Sequence, residues 1–340
     1  MLDLLTGVGC LAAVLVIFTL FSWKAPGGGK AMSGMADAAV ATFLTEAILV
    51  FVLGDEGLLG IEFFGNVGAA CGSCAGIAAA ALVCLQLGVT PAYALVAGVA
   101  CYGMGILPGF IAGYVCAMII PLMEKVLPAG VDCVVIALVT APIAYGVAHF
   151  VDPGVTKILG IVGGAIDAAT AFSPIAMGIL LGGIMKVICT APLSSMALTA
   201  MLMLTGLPMG IASIACVAGG IANGVTFKRL GYGNLGNTIA VIIEPLTQAR
   251  IVTTNPLQIY SGSFVGGAFG GVIAAVMGII SNAPGTASPV PGLLVPLGFN
   301  PPAKVLLAAG LAVIGGLIGG FITSTFWMKT GKIGVTKFED

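Results

Sequence analysis

Long apolar runs recur along the whole chain, and no other feature constrains its fold as much. About 20 largely apolar residues suffice for a helix to cross a bilayer. The runs fall at 5–23, 36–54, 66–87, 91–122, 131–151, 174–188, 194–206, 209–225, 236–250, 262–281 and 303–328. Lipid offers no hydrogen bonds, so a spanning segment must satisfy its own backbone, which leaves helices or closed barrels. Runs of this length specify helices. Only 7% of the 340 residues are charged, against roughly 25% in a soluble domain. The 52 glycines show no collagen period and suit close helix packing. The expected fold class is an all-α polytopic membrane protein.

Several functions are excluded at this level. The net charge of −1 gives no basic face for nucleic acid. There is no phosphate-binding Walker loop and no soluble module to hold one. His149 is the single histidine, so a zinc site is not expected, and the sequence gives no reason to expect another metal or a cofactor. The nine cysteines lie mostly in apolar runs and read as small buried hydrophobes. Cys71-Gly72-Ser73-Cys74 has C-x-x-C spacing but neither a second pair nor a nearby histidine, so it reads as helix packing. The first run lacks a basic leader and reads as a retained span.

The runs are not uniform. Residues 24–35, Gly-rich and basic, read as a loop. Pro108-Gly109 divides 91–122 into one kinked helix or two shorter pieces. Residues 152–171 carry Asp152, Lys157 and Asp167 among aliphatics and read as a helix along the interface. Residues 282–302 form a Pro/Gly-rich connector whose backbone needs protection from lipid. Lys228-Arg229 and the tail lysines Lys329, Lys332 and Lys337 are expected on the cytoplasmic side; Lys24 and Lys30 would join them, with the N-terminus outside.

Ile188-Cys189-Thr190-Ala191-Pro192-Leu193 and Val252-Thr253-Thr254-Asn255-Pro256-Leu257 share an aliphatic-x-Thr-x-Pro-Leu pattern, with a partial copy at Val139-Thr140-Ala141-Pro142-Ile143. Proline removes a backbone donor and clashes with the preceding turn. Thr190, Ser194, Ser195, Thr253, Thr254 and Asn255 can serve the freed carbonyls. Broken helices of this kind line cavities in transporters; a kinked structural helix is the alternative, and the first reading for Pro142. Glu244 and Arg250 flank Pro245-Leu246-Thr247-Gln248. Six residues exceed helical pairing, so a turn at Pro245 is needed to aim both at one ligand or to form a structural pair. A carboxylate among amides and hydroxyls suits a polyol and can act as a base. Glu46 reads equally as a buried functional or an interfacial group. Lys186 reads as snorkelling, Asp55, Glu56 and Glu62 as a solvated loop, and His149 as structural, though it is the single imidazole for proton transfer.

Asn237-Thr238-Ile239-Ala240-Val241-Ile242-Ile243-Glu244-Pro245-Leu246 resembles the Ile-Thr-Glu-Pro signature of enzyme IIC, the membrane subunit of the sugar phosphotransferase system, with Ile in place of the Thr before the glutamate. Ser173-Pro174-Ile175-Ala176-Met177-Gly178 and the 190–197 segment are similar to the IIC-only branch that includes perfringolysin-regulator-like proteins. The resemblance implies a glucose-superfamily-like fold of about ten transmembrane helices with two re-entrant helical hairpins. It implies a scaffold and dimerisation half at 1–151 and a substrate half at 152–340, in a homodimer in the bacterial cell membrane. It also implies a sugar held mid-membrane with Glu244 at the hydroxyl to be phosphorylated. Thr190, Ser194, Ser195, Asn237, Gln248, Arg250, Thr254 and Asn255 complete the expected substrate-binding set. The family's sugar-binding histidine has no counterpart between 150 and 340, and the soluble phosphocarrier subunits would be separate chains. The expected function is a sugar or polar-solute permease. The alternative is a membrane ligand sensor regulating gene expression, or an uncoupled secondary transporter.

Overall fold

A computed structural model describes residues 2–54, 57, 59–128, 130–191 and 195–336. Ser194, Pro192, Asp55, Glu56 and Lys337 therefore lie outside the described residues. The described secondary structure is helical. Among the described residues seven helices are long and apolar enough to cross a membrane, or eight if one bent pair counts as a span.

The first half comprises α1 (Leu2–Lys24), α2 (Gly28–Leu53), α3 (Glu62–Gly72), α4 (Ala75–Gln86), α5 (Pro91–Ala100), α6 (Ile106–Val126) and α7 (Asp132–Phe172). The expected loop at 24–35 shrinks to a turn ending at Gly27, whose φ of 65° suits glycine. From Gly28 the chain is helical, because Ala31, Met32 and Met35 are buried and pack in the core beside α4. The run at 66–87 is not one straight span: α3 and α4 meet at a 54° bend, and Cys71 to Cys74 occupy it. The run at 91–122 is two helices, but the break lies before Ile106, and Pro108 sits in the first turn of α6, where a missing N–H costs nothing.

The expected interfacial helix at 152–171 is a correction. It continues the preceding span without interruption, through Pro153, as the 41-residue α7. That is about 60 Å at 1.5 Å per residue, twice a hydrocarbon core of roughly 30 Å. Pro153 is exposed, so its ring displaces no packed neighbour. Val162, Ile166 and Ala169 are buried, and α1 packs along this end of α7. Pro142 likewise stays inside α7 and breaks nothing.

The second half is built on a bundle of α8 (Pro174–Thr190), α10 (Gly206–Leu230), α13 (Pro256–Met277) and α15 (Pro302–Thr330). Between them lie α9 (Ser195–Met201), α11 (Leu235–Ile243), α12 (Ala249–Thr254) and α14 (Pro289–Leu294). Helix α10 is buried on every side, which fits a helix apolar all round. Helices α8 and α13 meet through glycines: a Cβ on Gly271 would sit 2.0 Å from the Gly178 carbonyl oxygen. Small residues permit such backbone contact, which dispersion and helix geometry then reward. The connector at 282–302 folds into the protein. Thr286, Ala287, Ser288, Pro289 and Val295 are buried, which gives its non-helical backbone the protection that lipid cannot.

The basic helix ends gather at one end of the bundle. Arg229, in the last turn of α10, lies 2.8 Å from the Phe321 carbonyl, Ser324 Oγ and Thr325 Oγ1 of α15. Its guanidinium also sits 3.9 Å from the Phe321 ring centroid.

Candidate functional site

Helix α11 starts with a reciprocal cap. Asn234 Oδ1 accepts from Asn237 N (3.1 Å), and Asn237 Oδ1 accepts from Asn234 N (2.8 Å). The helix ends at Ile243, two residues before Pro245, because a residue preceding proline is pushed out of the α region. Glu244 accordingly adopts φ −145°, ψ 96°. Its Oε1 accepts from Leu246 N at 3.4 Å and so caps the 3₁₀ turn Pro245–Gln248. Its Oε2 accepts from Ser288 Oγ at 3.1 Å. Thr247 Oγ1 donates to the Glu244 carbonyl at 2.8 Å. The carboxylate is thus held by two donors from separate parts of the chain.

Glu244 and Ser288 line a cavity of about 480 Å³, together with Asp37, Leu44, Met196 and Leu246. This lies within the range of small-molecule pockets, roughly 300–1,000 Å³. Its wall is largely aliphatic. Asp37 comes from α2 and accepts from Gln86 Nε2 at 2.9 Å. The two carboxylates therefore face one space from opposite halves of the chain.

The other expected residues divide into groups. Asn237 Nδ2 donates to Gln248 Oε1 at 2.8 Å, tying the start of α11 to the turn after Glu244. Thr190 closes α8 by donating to the Lys186 carbonyl (3.0 Å), and Thr254 closes α12 by donating to the Arg250 carbonyl (2.8 Å). The two Thr-x-Pro copies therefore end their helices with the same side-chain bond. Thr190 Oγ1 also accepts from Asn223 Nδ2 at 2.9 Å, and Ser263 Oγ lies 2.7 Å from Asn223 Oδ1 and 3.0 Å from Thr190 Oγ1. Ser195 donates to the Ala287 carbonyl, next to Ser288. Arg250 is exposed on α12. Asn255 is committed elsewhere: it pairs with Val335, donating from Nδ2 at 2.9 Å and accepting at Oδ1 at 2.7 Å.

Two side chains depart from expectation. Lys186 does not snorkel; it is fully buried, with Nζ 3.8 Å from Cys189 Sγ. Gly219 makes the room, since a Cβ there would sit 2.2 Å from Lys186 Cγ. Glu62 begins a helix instead of lying in a loop. His149 is exposed on α7 and stacks on Tyr145, with centroids 5.6 Å apart. Among the described residues no group of three or more His, Cys, Asp and Glu side chains could hold a metal.

A family model described as phosphotransferase system, EIIC, matches residues 29–339. The chain belongs to the phosphotransferase system EIIC family. It is a multi-pass membrane protein and a permease component of that system, of a kind that works with soluble phosphotransferase components. No curated protein and no solved structure matches the chain.

In this EIIC chain the residues that sequence reasoning overlooked are Ser288, Asp37 and the Asn223–Ser263 pair. Asn223 carried a signal, because an amide in the middle of an apolar run is costly without partners. Ser288 carried none, since its partner is 44 positions away.

Proposed function

We propose that the cavity at Glu244 holds a neutral hydroxyl-rich solute, a sugar or polyol, during its passage across the cell membrane. The observation that supports this is a carboxylate already oriented by Leu246 N and Ser288 Oγ at the wall of a 480 Å³ cavity. An ionised carboxylate has about four acceptor sites, so after these two bonds it still accepts from solute hydroxyls. Aliphatic side chains such as Leu44 and Leu246 would cover the C–H faces of the ring or chain. In this reading the 152–340 half binds the solute. The 1–151 half is mainly the scaffold and dimer contact, with α2 adding Asp37 and Leu44 to the cavity wall. The short helices of 174–201 and 235–254 enter and leave from one side as re-entrant hairpins. The basic ends at Lys228-Arg229 and Lys329 face the cytoplasm.

When a separate phosphocarrier presents its phosphoryl group, the solute hydroxyl oxygen attacks phosphorus and the bond to the carrier breaks. Glu244 takes the hydroxyl proton. Proton transfer to a positioned base is worth roughly 10²–10⁴-fold in rate.

The test is a thermal-shift screen of neutral sugars, polyols and sugar acids on purified protein, wild type and Glu244→Gln. Binding to the folded state raises apparent stability by mass action. A neutral polyol should stabilise the wild type and lose that effect in Glu244→Gln. An equal shift in both proteins would move the site elsewhere.

A further inference from the structure

Helix α2 separates two cavities. Val40, Leu44 and Ile48 line the one that contains Glu244. On the other side of the helix, with Glu46 two residues from both Leu44 and Ile48 and so about half a turn away, Phe43, Glu46 and Phe51 line a second cavity of about 460 Å³, completed by Ser73, Met203 and Asn282. The stretch of helix between the cavities is wound irregularly. Val40–Leu44 and Leu49–Leu53 are π-helical, and the α-helical Thr45–Ile48 is held between them. Such segments are rare and often mark functional positions.

Among the described residues Glu46 is the charged group that lines the second cavity. Among the described residues no donor reaches its carboxylate, and an ionisable group within a span normally faces a partner or a pathway. Space for it is made by Gly72, at the bend between α3 and α4, where a Cβ would lie 2.1 Å from Glu46 Cδ. Asn282 and Ser73 have polar atoms here, but each is already engaged: Asn282 Oδ1 accepts from Gly206 N at 3.1 Å, and Ser73 Oγ donates to the Ala70 carbonyl at 2.8 Å. The Asn282 amide nitrogen and the Glu46 carboxylate remain to meet a ligand. This cavity continues into a third, of about 540 Å³, that shares Phe43, Gly72, Ser73 and Met203 and reaches Asp152 and Thr156.

We infer that the Glu46 cavity is a second binding station for the same hydroxyl-rich solute, and that α2 between Val40 and Leu53 is the movable wall between the stations. The inference rests on the proposed role of the Glu244 cavity. A π segment carries one residue more than an α-helix needs. When such an extra residue passes along a helix, the residues it crosses turn by roughly 100° about the axis. Moving either π segment across Thr45–Ile48 therefore carries Glu46 from its own cavity toward the face of Leu44 and Ile48. Register shifts of this kind fall in the microsecond-to-millisecond range, fast enough for a transport cycle. The carboxylate would then follow the solute from one station to the next.

The experiment compares binding with flux, using radiolabelled glucose, galactose, mannitol and glucitol as probes. Binding is measured on purified protein and uptake in cells. Glu46→Gln should take up the accepted probe at least tenfold more slowly than wild type, with binding still detectable through the intact Glu244 cavity. Gly72→Ala, which leaves the carboxylate intact but displaces it, should show the same split. Retained binding shows that each variant is folded. Wild-type uptake by both variants overturns the second station. If wild-type protein binds none of the four probes, the reading of the Glu244 cavity fails first and the second station falls with it.

Discussion

The buried ring of Asn223, Ser263 and Thr190 allows a quantitative test of how the second half holds together. The three residues are on α10, α13 and α8, and all are inaccessible. Removing the amide in Asn223→Ala deletes the contacts to Thr190 Oγ1 (2.9 Å) and to Ser263 Oγ (2.7 Å). One contact is recovered, because Ser263 already lies 3.0 Å from Thr190 Oγ1. The net loss is one interhelical hydrogen bond, worth about 0.6 kcal/mol on average and up to ~1.7 within a membrane protein. Truncating a fully buried side chain adds roughly 1–2 kcal/mol for the space left behind. The expected destabilisation is about 2 kcal/mol. Ser263→Ala removes a smaller group but strands Asn223 Oδ1, at a cost of about 1 kcal/mol. In the double variant no oxygen is stranded, so its cost should fall below the sum of the singles by roughly 0.5–1 kcal/mol. Reversible unfolding in mixed micelles, followed by circular dichroism, measures all four proteins. Additivity within about 0.3 kcal/mol would refute a cooperative ring and reduce these contacts to independent pairs.

The remaining predictions concern packing and the C-terminal segment. Gly271→Leu should force α8 and α13 apart, since even a Cβ would lie 2.0 Å from the Gly178 oxygen, whereas Gly310→Ala, with no atom within 4 Å, serves as the control. The expected costs are about 1–3 kcal/mol and within ~0.5 kcal/mol, read as unfolding midpoints in the same micelles. Tyr232, in the turn after α10, donates to the Ile333 carbonyl and has its phenol pushed up to about 12 by burial, against an ordinary 10. Its neutral form is the one that the folded state favours. Its contribution is therefore complete below pH 10 and lost as pH rises through 12. Tyr232→Phe should flatten that alkaline loss in pH-dependent unfolding. It should also expose residues 331–336 to protease, as should Asn255→Ala; full protection in both would show that these bonds do not hold the segment.

How far the sequence could be read differs from residue to residue. The break at Glu244-Pro245 was visible because proline acts on its immediate neighbours, and the helix does end there. The paired endings at Thr190 and Thr254 were visible for the same reason: each hydroxyl serves a carbonyl four residues back. Helix α7 was misread at Asp152 and Pro153. Charge and proline often mark a helix end, but here Pro153 is exposed and apolar packing at Val162, Ile166 and Ala169 carries the helix onward. Glycines near residue 30 were misread as a loop, although Gly34 is where the α4 backbone comes close. Lys186 was misread because nothing local announces that Gly219, 33 positions away, would leave room for its side chain.

The amino-acid sequence by itself determined the solvent of this protein, its helical class and the points where its helices break. Those properties depend on apolar run length, backbone hydrogen bonding in lipid and the local geometry of proline, all of which act within a few residues. Tertiary structure alone decided which polar groups meet. Ser288 reaches Glu244, Asp37 faces the same cavity from the other half, and one irregular helix stands between two cavities that each hold a carboxylate. These meetings depend on how distant helices pack, and in a chain so rich in glycine and alanine many pairs of faces are alike in pattern. Shape and the few buried polar groups select among them.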